Sequence, residues 1–203
     1  MKFICIGRNY AAHIAELQHA VPEKPVFFLK QENAITRRNR PFFLPDFSKQ
    51  VDYETEIIVK INRLGKCIQE KFAPLYYEEI GLGVDFTARD LQQQCILEGN
   101  PWEIAKAFDG SAVVGKFLPK SQFSDVQNLN FHLLLNGVKV QEGNSRNMLF
   151  TIDQIIAYVS RFMTLKTGDI IFTGTPAGIG LVHINDRLQG FLEGEKLFDF
   201  NVK

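Results

Sequence analysis

VDYETEIIVKI, residues 51–61, alternates with a period of two, the pattern of a strand with one face turned inward. Val51, Tyr53, Thr55, Ile57, Val59 and Ile61 share one face, while Asp52, Glu54 and Glu56 open the other. Carboxylates aligned on one strand face repel one another, and more strongly where water is excluded. Successive residues on a face are about 6.6–6.8 Å apart, so Glu54 and Glu56 can bend their side chains toward one point between them. A cation at that point removes the repulsion, and oxygen-only ligation suits Mg²⁺, Mn²⁺ or Ca²⁺ rather than zinc. For an isolated E-x-E a solvated strand face is the commoner explanation, so the metal reading needs support from elsewhere in the chain.

Part of that support lies at Asp85. Ile80, Leu82 and Val84 mark an apolar strand over Ile80–Phe86, and Asp85 stands where it hands over to a helix expected at Ala88–Leu97. Thr87 followed by Asp90 has the spacing of a capping box. A strand end beside a helix N-terminus is a common place for functional carboxylates, although an acid there also stabilises the helix dipole without further function.

The rest of the chain reads as strands with few helices. A short strand is expected at Phe3–Ile6, a helix over Tyr10–His19 closed by Pro22 and Pro25, and a strand at Val26–Lys30. Residues 31–50 read as a loop or irregular hairpin. Asn136-Gly137 between Leu133–Leu135 and Val138–Val140 is a strong hairpin signal. Thr151 with Gln154 caps an amphipathic helix running to Phe162, and the tail alternates short strands with turns. Without regular βαβ alternation, the class is α+β, mainly β, in mixed or antiparallel sheet.

Bulk properties narrow the function. A length of 203 residues suits one domain, 1–203, with its own core. Lys+Arg and Asp+Glu are 23 each, so no net charge draws the chain to nucleic acid or anionic lipid. Cys5, Cys67 and Cys95 are odd in number, far apart and without a CxxC pair, which argues against a disulfide framework or zinc knuckle. The apolar run at the N-terminus is too short for a signal peptide, and no stretch approaches a membrane span. The expectation is a cytoplasmic protein with no nucleic-acid or membrane partner. RRNR at 37–40 (Arg37, Arg38, Arg40) is read as a solvated loop, with a steering or partner-binding patch as the minority reading.

Seven motifs in one order then carry a resemblance: GRNYAAHIAE (7–16), FFLK (27–30), ETE (54–56), GVDFTARDLQ (83–92), PWEIAKAFDGSAVVG (101–115), QEGNSRNMLF (141–150) and TGTPAGIG (173–180). Together they resemble the fumarylacetoacetate hydrolase family, in its short, single-domain acylpyruvase-like branch, over nearly the whole chain. The resemblance implies a compact β-roll of packed mixed β-sheets with a few helices, and a homodimer. It implies one Mg²⁺ or Mn²⁺ (with Ca²⁺ as a crystallisation substitute) held by Glu54, Glu56 and Asp85. It places an acid–base dyad on His13 and Glu16, a catalytic lysine on Lys106, and substrate binding on Lys30, Arg89, Gln92 and Thr175.

The implied chemistry fits those residue types. Members of the family cleave or decarboxylate small 2-oxo acids through an enolate, and a cation at the 2-oxo and carboxylate oxygens makes that enolate accessible at neutral pH. Lys106 would add a second positive charge. Hydrolysis of a carbon–carbon bond also needs an activated water, with His13 as base and Glu16 orienting its ring. The dyad therefore tilts the expectation toward a hydrolase of acylpyruvate-type 2,4-dioxo acids. The alternative is an oxaloacetate decarboxylase or a 2-oxo-acid lyase or isomerase on the same scaffold. Gln31, Glu32 and Ala12 depart from the branch's usual residues and bear on which substrate is taken. Asp52 is left with no role beside the metal.

Overall fold

The computed structural model describes residues 1–37 and 40–203. Most of the basic run at 37–40 thus lies outside the described side chains, and Arg40 is exposed. In chain order the strands begin with β1 (Phe3–Gly7), β2 (Val26–Lys30), β3 (Ile35–Arg37), β4 (Val51–Tyr53) and β5 (Thr55–Ile61). They continue with β6 (Tyr77–Asp85), β7 (Thr87–Ala88), β8 (Ala112–Pro119), β9 (Asn130–Leu135) and β10 (Val138–Asn144). The last are β11 (Ile170–Phe172), β12 (Gly180–Leu181), β13 (Arg187–Leu192) and β14 (Glu195–Asn201). The helices are α1 (Ala11–Glu16), α2 (Arg89–Glu98), α3 (Glu103–Lys106) and α4 (Ile152–Val159).

A seven-stranded mixed sheet runs β2-β1-β11-β5-β6-β8-β3, a four-stranded one β10-β9-β13-β14, and a three-stranded one β12-β4-β7. This is the mixed-sheet, helix-poor architecture expected. The main core lies where Ile57, Val59, Ile80 and Leu82 of the large sheet meet Phe131, Leu133, Phe198 and the apolar face of α4. On the opposite face Phe3, Cys5, Ile58 and Phe172 form a second cluster. The Asn-Gly hairpin forms as expected: Asn136 and Gly137 take φ of +52° and +83° between β9 and β10, the left-handed pair that matches strand twist. The capping box of Thr151 and Gln154 forms on α4.

Residues 51–61 depart from the simple alternating strand. The strand breaks at Glu54: β4 pairs with β7 and β12, whereas β5 pairs with β6 and β11. Every residue from Val51 to Val59 is buried, so the acidic face is covered as well. The alternation marked which residues share a face; it did not mark a solvent side.

Three other expectations are corrected. The first helix is shorter than Tyr10–His19: Tyr10 bridges to Met148, and Gln18 turns left-handed at φ +54°. Thr87 does not cap α2, because it lies in β7 and its hydroxyl is taken by Lys106 at 2.6 Å. Asp90 instead accepts from Ser48 Oγ (2.6 Å) and the Lys49 amide (2.9 Å). Within the expected loop 31–50, Ile35–Arg37 forms a parallel edge strand on β8.

Candidate active site

The carboxylates converge because two neighbouring strands end together. Thr55 is paired with Val84, and the Asp85 amide donates to the Glu54 carbonyl at 2.8 Å. Glu54 stands in the break between β4 and β5, Glu56 is the second residue of β5, and Asp85 closes β6. Glu54, Glu56 and Asp85 are all buried, and each offers a carboxylate oxygen within 4.8 Å of the others.

Cations answer two of these three acids. The Lys106 ammonium donates to Glu54 Oε2 at 2.9 Å and Asp85 Oδ2 at 3.0 Å. Lys30 reaches Asp85 Oδ1 at 2.8 Å. Arg89 bonds Glu54 through one terminal nitrogen, Asp52 through Nε at 2.9 Å, and Gln92 at 2.6 Å. Asp52 therefore has a definite place, holding the guanidinium that faces Glu54. Glu56 has no cationic partner among the described residues, and the Gly174 amide donates to it at 2.7 Å. Its carboxyl is pushed well above the usual range by burial, then by Asp85 and Glu54. Glu54 is the reverse: burial acts to raise it, but Lys106 and Arg89 hold it well below that range. Burial works against the Lys106 charge, yet Asp85 and Glu54 prevail and raise its pKa. Four buried carboxylates (Asp52, Glu54, Glu56, Asp85) thus face three buried cations (Lys30, Arg89, Lys106). The uncompensated charge and the all-oxygen donor set fit a hard divalent cation.

His13 and Glu16, one turn apart on α1, are hydrogen-bonded, Nδ1 to Oε2, at 3.1 Å. Glu16 also accepts from the Gly178 amide at 3.0 Å, tying α1 to the TGTPAGIG loop. That loop needs its glycines. Gly174 has φ +100°, and a Cβ there would lie 2.7 Å from the Asn9 Cβ. Gly178 has φ +96° and faces the Val140 carbonyl at a separation no Cβ would fit. The Thr175 hydroxyl donates to the Thr55 carbonyl at 2.9 Å and accepts from Gln141 at 2.9 Å.

One small, tightly filled cleft brings these groups together. His13, Glu54, Glu56, Asp85, Arg89, Gln92, Lys106 and Thr175 all line it. Glu16 stands behind His13. Lys30 is placed differently from the expectation: fully buried behind Asp85, it donates to Ser111 Oγ at 2.9 Å and to the Lys106 carbonyl. The cleft also includes Arg8, His19, Phe28 and Trp102, to which the sequence reading gave no role. Arg8 lies inside the GRNY motif, which was the one local signal for it. Burial, then Arg8 and His13, lower the His19 pKa.

A mixed β-sheet fold that gathers on one small cleft a buried carboxylate triad able to hold a metal ion, three cationic side chains and a histidine paired with Glu16 has the make-up of an enzyme site. The fumarylacetoacetate hydrolase C-terminal family model matches residues 2–198, and the chain belongs to that family. It is 40% identical over 200 residues to the bovine (Bos taurus) protein named oxaloacetate tautomerase FAHD1, mitochondrial, covering 98% of this chain and 90% of that one. It is 39% identical over 197 residues to oxaloacetate tautomerase YcgM of Escherichia coli K12, covering 97% and 90%. A fumarylpyruvate hydrolase from Pseudomonas aeruginosa, solved in complex with Mn²⁺ and pyruvate, superposes with a TM-score of 0.94 at 33% identity, covering 100% of this chain and 89% of that one. No helix among the described residues is long and apolar enough to cross a membrane.

Proposed function

We propose that this protein forms and reprotonates the enolate of a small 2-oxo acid, with interconversion of the enol and keto forms of oxaloacetate as its reaction. The observation that carries this is the placement of a buried, under-neutralised carboxylate triad and the His13–Glu16 pair on one cleft. Similarity to two proteins named oxaloacetate tautomerase supports it.

Glu54, Glu56 and Asp85 would hold Mg²⁺ or Mn²⁺, which when bound supplies Lewis-acid polarisation of the 2-oxo group. The chain's own residues do the rest. His13 carries the proton between the carbon beside the carbonyl and the 2-oxo oxygen, taking it from one and delivering it to the other; Glu16 fixes the ring and stabilises its protonated form. Lys106 and Arg89 put positive charge beside the developing oxyanion. The Gln92 amide nitrogen, its oxygen already taken by Arg89, donates to the substrate carboxylate, and Thr175, its proton given to the Thr55 carbonyl, shapes the wall beside it. Burial keeps bulk water from quenching the enolate.

Hydrolysis of acylpyruvates is the second reading, favoured by the same dyad, which would then activate water, and by the likeness to a fumarylpyruvate hydrolase. The test follows enol absorbance of oxaloacetate and, separately, cleavage of acetylpyruvate and fumarylpyruvate, with wild type and His13→Gln in Mn²⁺. The tautomerase reading expects enol loss to slow by about 10²- to 10⁴-fold in the variant. Wild type that cleaves acylpyruvates without accelerating enol conversion would refute it.

A further inference from the structure

We propose that Arg8, together with His19, forms a subsite for a second carboxylate, so that the cleft selects dicarboxylic over monocarboxylic 2-oxo acids. The proposal rests on the 2-oxo-acid reading above and extends it to the far end of the substrate.

The other cleft cations are already engaged. Lys106 is bonded to Glu54 and Asp85, and Arg89 to Asp52 and Glu54. Arg8 differs, for its half-buried side chain lines the cleft yet makes no hydrogen bond or ion pair with any described residue. A guanidinium partly withdrawn from water is a fork-shaped donor that matches a carboxylate. Its backbone is held at a cost: φ is +60°, a left-handed conformation unusual for an arginine. The neighbouring segments fix it there. On one side β1 lies between β2 and β11. On the other, the Asn9 side chain donates to the carbonyls of Phe150 (3.0 Å) and Thr173 (2.7 Å) and accepts from the Phe150 amide (2.8 Å). A strained residue locked in this way at the edge of a reactive cleft suits a placed ligand contact; a solvated surface arginine would need no such constraint.

His19 supplies a second unmet group. Its Nδ1 is buried without a partner among the described residues, and Arg8 is the leading charge that its ring feels. An anion received by Arg8 and the ring nitrogen would satisfy both at once. The 2-oxo acid end then lies at the carboxylate triad, with the distal carboxylate on Arg8.

The test uses oxaloacetate as substrate and pyruvate, the same 2-oxo acid without the distal carboxylate, as competitive inhibitor of the Mn²⁺-loaded enzyme. Arg8→Gly is the main variant because glycine accepts a φ of +60° without strain, and Arg8→Lys keeps the charge without the fork. Arg8→Gly is expected to raise the KM of oxaloacetate about 10- to 100-fold relative to the Ki of pyruvate, on the strength of a charge-assisted hydrogen bond. Arg8→Lys should recover part of that ratio, and the change should fall on KM rather than kcat. An unchanged ratio of KM to Ki in Arg8→Gly would overturn the subsite while leaving the enolate reading intact. Wild type that does not turn over oxaloacetate would overturn that reading and the subsite with it.

Discussion

Replacing Glu56 by Gln should stabilise the metal-free protein while removing its response to metal. Glu56 is 1% exposed, faces two other carboxylates and has no cationic partner among the described residues. The amide keeps an acceptor for the Gly174 N–H but discards the charge. Removing a buried carboxyl that must either hold a proton or stay charged without a cation is worth on the order of 1–3 kcal/mol. In a chain of this size that is about 2–12 °C in Tm, at about 2–4 °C per kcal/mol. The pH dependence has a definite sign. The folded-state pKa of Glu56 is raised, so the native state holds a proton that the unfolded chain has released. Metal-free wild type should therefore lose stability as pH rises above the ordinary glutamate range, until it passes the folded pKa. The variant should lack that part of the slope. Adding metal at about 100 times its Kd contributes about 2.7 kcal/mol, or about 5–11 °C, and the gain should grow with pH because the metal displaces the Glu56 proton. The assay is a thermal melt of wild type and Glu56→Gln, in EDTA and in Mn²⁺, across pH 5–8. A variant that melts below wild type in EDTA, or keeps the full Mn²⁺ shift, would refute the charge argument.

Other substitutions separate support from chemistry. Lys30→Met should act as a structural mutation, since it leaves Asp85 with one of its two buried cations; a loss of about 3–5 kcal/mol is expected in chemical denaturation. A raised KM at unchanged stability would instead place Lys30 at the substrate. Glu16→Gln should lower kcat about 10- to 100-fold, the worth of one hydrogen bond to a charged group, with Mn²⁺ affinity measured by titration left as in wild type. Gly174→Ala should damage metal affinity, because the φ of +100° and the contact with Asn9 force the loop away and withdraw the amide from Glu56; an unaltered Mn²⁺ Kd would show that the loop tolerates a Cβ.

What the sequence could convey here depended on distance along the chain. Asn136-Gly137 and Thr151 with Gln154 are local signals, and their elements form, whereas the alternation of 51–61 marks strand but neither its break nor its covered acidic face. Glu54, Glu56 and Asp85 came together because a strand period and a strand-to-helix transition each marked an acid, and the ordered motifs linked them. Local rules failed where a distant side chain took the group in question. Thr87 has the right spacing for a cap, but Lys106 claims its hydroxyl from 19 residues away. The break at Glu54 is hidden because β4 and β5 continue one binary pattern while pairing in different sheets. Asp52 gained its role from Arg89, and Lys30 its place from Asp85 and Ser111, through contacts that no short window contains. Arg8 and His19 reach the cleft by a left-handed turn and a helix end, which polarity patterns do not register.

The central claim is that one divalent cation on the carboxylate triad is needed for turnover of a 2-oxo acid. Titrating Mn²⁺ into EDTA-stripped protein while following oxaloacetate enol conversion tests it most directly. Activity should rise from background and saturate at one Mn²⁺ per chain, with no rise in Glu56→Gln over the same range. Full activity persisting in EDTA, or a saturating titration in Glu56→Gln that matches wild type, would contradict it.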